Sequence, residues 1–397
     1  MSLVRTLASA RPGLLAAAVL CVGCATANEA PIVQAPAGTA VADPSLPRTR
    51  APEPPPPREA AAPAALPGQS PSPLRIAAVG DIMIGTDFPE NHLPDDDGVS
   101  FLSGVASTLL QADITFGNLE GVLMDGGDPR KECENPEICY LFRSPSRYAR
   151  HLKEAGFDVI SLANNHSRDF GEEGRSASMA ALASAGIHHS GREADVATWD
   201  VLGHRVALIA FATTIGSHSL LEIDPAAERV RELANVHDII LVSFHGGAEG
   251  LEATHVPFTE EMSYGELRGD VVRFSRAMIE AGAHLVVGHG PHVPRAMELY
   301  RNRLIAYSLG NFATYYGISV GGIRGLAPIL LADIDPDGNF LRGRIVSAQQ
   351  IRPAGPTLDP EHGAYRLIRQ LTAEDFEGGG FTFHDDGTFL PRTPGSP

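Results

Sequence analysis

The chain is short of cysteine, has no surplus of positive charge and carries no hydrophobic run long enough to cross a bilayer. Each shortage removes a class of function. Of the four cysteines in 397 residues two, Cys21 and Cys24, fall in a leader-like start, so no second pair is left beside Cys133 and Cys139 to complete a thiolate metal module. Against 48 acidic residues stand 31 Lys and Arg, a formal net charge of −17, so the surface as a whole repels nucleic acid and other polyanions. Missing too are the phosphate-binding G-x-x-x-x-G-K-[ST] loop, a G-x-G-x-x-G turn after a strand and a G-x-S-x-G nucleophile elbow. No internal repeat is found. What remains is ordinary for a globular protein: 43% apolar and 20% charged residues, and enough length for one large domain or two smaller ones.

Residues 1–24 read as an export signal. Arg5 and Arg11 give a positive start, and the apolar run over 14–22 is too short for a stable span. The sequence Cys21-Val-Gly-Cys24-Ala resembles a bacterial lipobox, with Cys21 where Leu or Val is usual, which would make Cys24 the lipidated residue. Plain secretion and a retained anchor are the alternatives. Cys133 and Cys139 are then left in a loop-like stretch, where an oxidising compartment favours a local disulfide over a metal site. Residues 25–73 are dense in Pro and Ala, with four consecutive prolines at 54–57, and read as a disordered tether.

From Leu74 strand-like and helix-like runs alternate. Strands are expected over 75–79, 114–116, 158–162, 206–211, 239–244 and 285–287, and helices over 101–110, 146–155, 172–185, 225–234 and 270–281. Hairpins are expected around Arg301-Asn302-Arg303 and Asp335-Pro-Asp-Gly338, and a further helix over 364–371. This pattern predicts an α/β fold with mixed sheets. Residues 377–397 are rich in Gly and Pro and are expected to fray.

The informative feature is where the metal-ligating side chains fall. Asp81 follows the first strand, Asn118 and Glu120 the second, Asn164-Asn165-His166 the third, His245 and Glu249 the fifth, and His289-Gly-Pro-His292 the sixth. Taken singly, each has a plainer explanation: Asp81 as a helix cap or turn residue, Glu120 as a surface carboxylate, Asn164 to His166 as a polar turn. Strand ends gathered at one sheet edge, all bearing Asp, Asn, Glu or His, point instead to one or two metal ions. Pro291 stiffens the loop that carries two imidazoles, which lowers the entropy lost in holding both. Asn311, in Tyr307-Ser-Leu-Gly-Asn-Phe312, reads as part of a turn lining the site. His284 is ambiguous, and most other histidines, His151 and His204 among them, read as surface or turn residues.

In this order the segments Ala78-Val-Gly-Asp-Ile-Met83, Asn118-Leu-Glu120, Ser161-Leu-Ala-Asn-Asn-His166, His245-Gly-Gly-Ala-Glu249, the run from Gly282 to His292 and Tyr307 to Phe312 resemble the CapA capsule-synthesis (poly-γ-glutamate) family. That family is similar to the calcineurin-like metallophosphoesterases. The resemblance implies an α/β/β/α sandwich over residues 74–376. It implies Asp81 and His292 on one divalent metal, Asn165, His245 and His289 on a second, Glu120 bridging them, and His166 as acid or electrostatic stabiliser. Mn, Fe or Zn would suit imidazole with carboxylate. Met83 stands where the metallophosphoesterase pattern has His, Gly246 where it often has Trp, and His284 where Asp is common.

The activity implied is that of an envelope-anchored, metal-dependent hydrolase or transferase. It would act on an extracellular anionic polymer or its precursor, within a membrane synthesis or export complex and without nucleic acid. A non-catalytic assembly subunit and a general metallophosphodiesterase are the alternatives.

Overall fold

The structure is a computed structural model, and it describes residues 72–131 and 140–392. Two sheets face each other. The ten-stranded sheet runs from Phe381–Phe383 through Thr388–Pro391, Phe340–Gln350, Leu326–Ile334, Leu74–Met83, Ile114–Leu119 and Val159–Ser161 to His188–Ser190. Asn311–Thr314 pairs beside Leu74–Met83, and Pro356–Leu358 beside Phe340–Gln350. The seven-stranded sheet runs Met297–Tyr300, Arg303–Ala306, Leu285–His289, Ile239–His245, His204–Ala212, Ala197–Val201, with His218–Ser219 added to His204–Ala212. Both sheets mix parallel and antiparallel pairs.

Side chains alternate across a strand, so a strand buried on both faces reads as a continuous apolar run. In Leu74–Met83, Ile76 and Ala78 face the other sheet and meet the layer containing Leu208, Leu241 and Val287. Ala77, Val79 and Ile82 face outward onto the helices α1 (Ser103–Leu109), α2 (Tyr148–Glu154) and α3 (Gly171–Ser184), through Val105, Leu152 and Leu182. The seven-stranded sheet is covered in the same way by α4 (Ile223–Ala234) and α5 (Val271–Ala281), through Val230, Phe274 and Met278. These four layers are the α/β/β/α sandwich. A final helix, α6 (Gly363–Phe376), buries Tyr365, Ile368 and Leu371.

Local chemistry sets the boundaries. Asp270 caps α5 by accepting the Arg273 N–H at 2.9 Å, a contact worth about 1 kcal/mol. Gly282 ends the helix at φ +116°, a conformation that suits glycine. The Arg301-Asn302 turn has positive φ at both residues, the geometry that matches hairpin twist.

The segment from Gly378 does not fray. Phe381–Phe383 and Thr388–Pro391 form a hairpin on the edge of the larger sheet, because Phe381 and Phe389 alternate inward and are buried against Phe340. His151 and His204 are buried, not surface residues, each with Nε2 2.9 Å from a backbone carbonyl, of Asp97 and Ser72 respectively. The expected export signal with Cys24, all but the last two residues of the expected tether, the expected Cys133–Cys139 disulfide and residues 393–397 lie outside the described residues. Among those described, no helix is long and apolar enough to cross a membrane.

Candidate metal centre

Register decides which side chains meet. Asp81 pairs with Asn118 on one side and with Asn311 on the other, so three polar residues come level on neighbouring strands of the larger sheet. In the other sheet His245 pairs with His289. The first strand reaches this position only because Gly80 lacks a side chain. A Cβ there would stand 1.9 Å from the Gly310 carbonyl oxygen, the group that accepts the Asp81 N–H at 2.9 Å.

Asp81, Glu120 and His292 converge, each offering a ligand atom within 4.8 Å of the others. His292 Nδ1 lies 3.1 Å from Asp81 Oδ2 and 3.1 Å from Asn311 Oδ1, and Nε2 is 3.5 Å from Glu120 Oε1. Its backbone is left-handed, φ +59°, a strained conformation for a non-glycine residue. Among the described residues no second trio of His, Cys, Asp or Glu converges in this way.

The rest of the donor set is tied to the trio by hydrogen bonds. Asn118 Nδ2 donates to Asp81 Oδ1 at 2.9 Å and lies 3.4 Å from His245 Nδ1. Asn164 Nδ2 donates to Asn118 Oδ1 at 3.0 Å and to the Leu119 carbonyl at 2.8 Å. Asn164 is thus a brace, and the next residue, Asn165, keeps its side-chain amide oxygen buried without a partner. His289 Nε2–H donates to the Val79 carbonyl at 3.1 Å, and its Nδ1 is 3.4 Å from Ser243 Oγ.

Buried polar atoms are normally satisfied, so the exceptions carry information. Both oxygens of Glu120, Nε2 of His245 and Oδ1 of Asn165 are buried and unpartnered. Carboxylate, imidazole and amide oxygen together suit a borderline divalent cation, and the set fits one.

The charges interlock. Burial pushes Glu120 up to about 8, against the charge of His292. Burial also disfavours the charged form of Asp81, but the hydrogen bond and charge of His292 outweigh it and bring the carboxyl down to about 2. In His292 burial opposes the charged ring, yet Glu120 and Asp81 more than offset it and its pKa rises. His245 and His289 are driven downward mainly by burial and stay neutral, the form in which imidazole ligates.

His166 stands apart with its own partner. Its Nδ1 is 2.8 Å from Asp169 Oδ2, an oxygen that also accepts the Phe142 N–H at 2.9 Å. Lys131 Nζ lies 3.3 Å from the other Asp169 oxygen. The sequence marks Asp169 only as a turn residue, although its spacing of three from His166 is the available signal.

Arg268, which the sequence does not single out, is buried beside the centre and pairs with Glu249 at 3.0 Å. Glu249 therefore engages a guanidinium and does not join the converged trio.

A sequence model described as bacterial capsule synthesis protein PGA_cap matches residues 75–316, more than half of the chain. The chain is similar to the capsule biosynthesis protein CapA of Bacillus anthracis, 27% identical over 341 residues, covering 79% of this chain and 76% of that one. It is also similar to the PGA biosynthesis protein CapA of Bacillus subtilis (strain 168), 27% identical over 257 residues, covering 60% and 63%. Among solved structures it is similar to a 5'-nucleotidase precursor from Thermus thermophilus, with 14% identity, a TM-score of 0.38 and coverage of 76% and 58%. The chain thus spans less than two thirds of the B. subtilis protein and of the solved chain. The match runs from the first strand past Asn311, taking in every strand end described above, and the chain belongs to the bacterial capsule synthesis PGA_cap family.

Proposed function

We propose that this protein is a metal-dependent hydrolase or transferase of the cell envelope, acting in the synthesis, release or attachment of a capsule polymer of the poly-γ-glutamate type. The observation that carries the reading is the convergence of Asp81, Glu120 and His292, with both Glu120 oxygens buried and unpartnered. Membership of the family supplies the polymer, and a lipid on Cys24 would hold the domain at a membrane near a synthesis or export complex.

Asp81, Glu120 and His292 would hold one divalent ion, and Asn165, His245 and His289 a second shared through Glu120. When bound, such ions supply Lewis acidity toward a carbonyl or phosphoryl oxygen. The chain's own part is positional. Val79 fixes the tautomer of His289 by accepting its Nε2–H, which leaves a lone pair on Nδ1. Asp169 holds the His166 ring through Nδ1, leaving Nε2 to give up or take a proton at the reacting oxygen.

Metal analysis of the full-length chain, purified without chelator and paired with a turnover assay, tests this. Two ions per chain and loss of turnover in His166→Ala support it, and an enzyme indifferent to both metal and His166 would refute it. A second reading, a non-catalytic assembly subunit with a single structural ion, is favoured by the presence of one converged trio among the described residues. It expects one ion per chain and no turnover.

A further inference from the structure

The short hairpin Glu261–Ser263 and Glu266–Gly269 leans over the strand ends of the smaller sheet. Its base is held by the ion pairs of two buried arginines. Arg295 reaches Glu261 at 2.7 Å and also donates to the carbonyls of Ala253 and Ala248. Arg268, on the hairpin itself, reaches Glu249 at 3.0 Å and donates from Nε to the Gly247 carbonyl at 3.0 Å. Arg295 uses all three guanidinium nitrogens. Arg268 does not: its Nη2 is buried with no partner.

A buried arginine, here 1% exposed, with one guanidinium nitrogen unsatisfied is costly unless something takes the remaining N–H groups. The place of that nitrogen indicates what does. It lies 3.0 Å from where a Cβ on Gly290 would stand, between His289 and His292, and that Cβ would also meet the Gly246 backbone beside His245. Glycine at position 290 leaves room for the guanidinium beside the two histidine-bearing strand ends. Its charge reaches the donor set, since Arg268 acts on both Glu120 and His245, although burial is the larger influence on each. One wall of an adjoining 600 Å³ cavity is formed by Glu266 and Leu267, the residues preceding Arg268, and another by Asn165.

We propose that Arg268 is an anion-binding residue of the centre, its free Nη2 donating to a carboxylate or phosphoryl oxygen of the molecule held there. This deepens the function proposed above and rests on it. It also addresses the overall charge of −17, because a buried cation at the reacting end can grip an anionic group that the outer surface repels.

The test uses the full-length chain in three forms: wild type, Glu249→Gln, and the double variant Arg268→Met with Glu249→Gln. The double variant removes both members of the pair, so it leaves no buried charge unpartnered. Calorimetric titration with inorganic phosphate, and separately with a short γ-linked glutamate oligomer, is run without metal and with Mn. Unfolding temperature and bound Mn are recorded for each form.

Wild type and Glu249→Gln should bind at least one probe alike, and the double variant should bind it about ten- to a hundredfold more weakly, with Mn content unchanged. Selective loss of the glutamate oligomer identifies the group as a carboxylate, and selective loss of phosphate as a phosphoryl. Equal affinity in the double variant and Glu249→Gln, loss that follows only from a fall in unfolding temperature, or no anion binding in wild type overturns the inference. Failure of wild type to take up Mn speaks against the metal centre instead, and the metal-free titrations still decide the role of Arg268.

Discussion

The Nε2–H of His289 donates to the carbonyl of Val79 at 3.1 Å, although the two residues are 210 positions apart and belong to different sheets. This single bond crosses the sandwich at the strand ends where the donors collect. It orients the ring and sets which nitrogen carries the proton.

Metal should stabilise the fold, because Glu120, His245 and Asn165 bury ligand atoms without partners. Saturating Mn, at about a hundred times its dissociation constant, should add about 3 kcal/mol to wild-type stability, and chelator should remove it. Asp81→Ala should bind less metal and gain correspondingly less. Differential scanning calorimetry with parallel metal analysis checks this, and a wild type whose unfolding is indifferent to Mn contradicts it.

Asp169→Asn should lower turnover without emptying the centre. The Phe142 N–H and His166 Nδ1 share Asp169 Oδ2, so an amide oxygen in that place still accepts both, but it carries no charge and grips the His166 ring more weakly, with its NH2 turned toward Lys131. Turnover of an aryl phosphodiester with Mn should fall about a hundredfold, within the usual range for acid–base catalysis, while Mn content is retained. Equal turnover in the two proteins would remove Asp169 from the reaction.

His284 should make stability depend on pH. Burial first, then the charge of Arg303, depresses its pKa from 6.5 to about 4, and its Nδ1 accepts the Ile240 N–H at 2.9 Å. The folded chain therefore binds fewer protons than the unfolded one between those values. Its contribution is complete above about 6.5 and is lost as pH falls toward 4, by up to about 3 kcal/mol. His284→Asn keeps an acceptor for Ile240 and should flatten the denaturation midpoint across this window; an unchanged slope counts against the assignment.

Gly80→Ala should be strongly destabilising. The new methyl would stand 1.9 Å from the Gly310 carbonyl oxygen and 2.7 Å from that of Leu309, both backbone atoms that cannot swing aside. A loss of about 3 kcal/mol is expected in urea denaturation, together with weaker metal binding, since Asp81 and Asn311 both move. A variant as stable as wild type would show that the two strands can separate at no cost.

Most of this architecture is legible in the sequence where an element is long and apolar. The strands around Val79, Leu208, Leu241 and Val286 are buried on both faces and announce themselves, and the residues following them identify the candidate centre. Short edge strands are harder. His188–Ser190 and Ala197–Val201 hold their places by pairing with longer neighbours, not through their own composition. Asn311 reads as a turn residue, yet it opens a strand paired with Asp81–Met83, a fact fixed by contacts between distant segments. Arg268 gives no signal at all, because an arginine after Leu267 looks solvent-exposed until Glu249 and the glycine loops close over it. The hairpin from Phe381 was hidden by glycines that suggest a frayed end, when three of them simply adopt the left-handed turn that begins it.

Because Asp81, Asn118 and Glu120 hang from one sheet and His245, His289 and His292 from the other, the aperture between the two donor sets is governed by the apolar filling between the layers. Trimming Ile76 or Leu208, well back along the strands, would let the sheets settle closer and shift every cross-sandwich distance together. Affinity for metal can thus drift through substitutions that never touch a ligand.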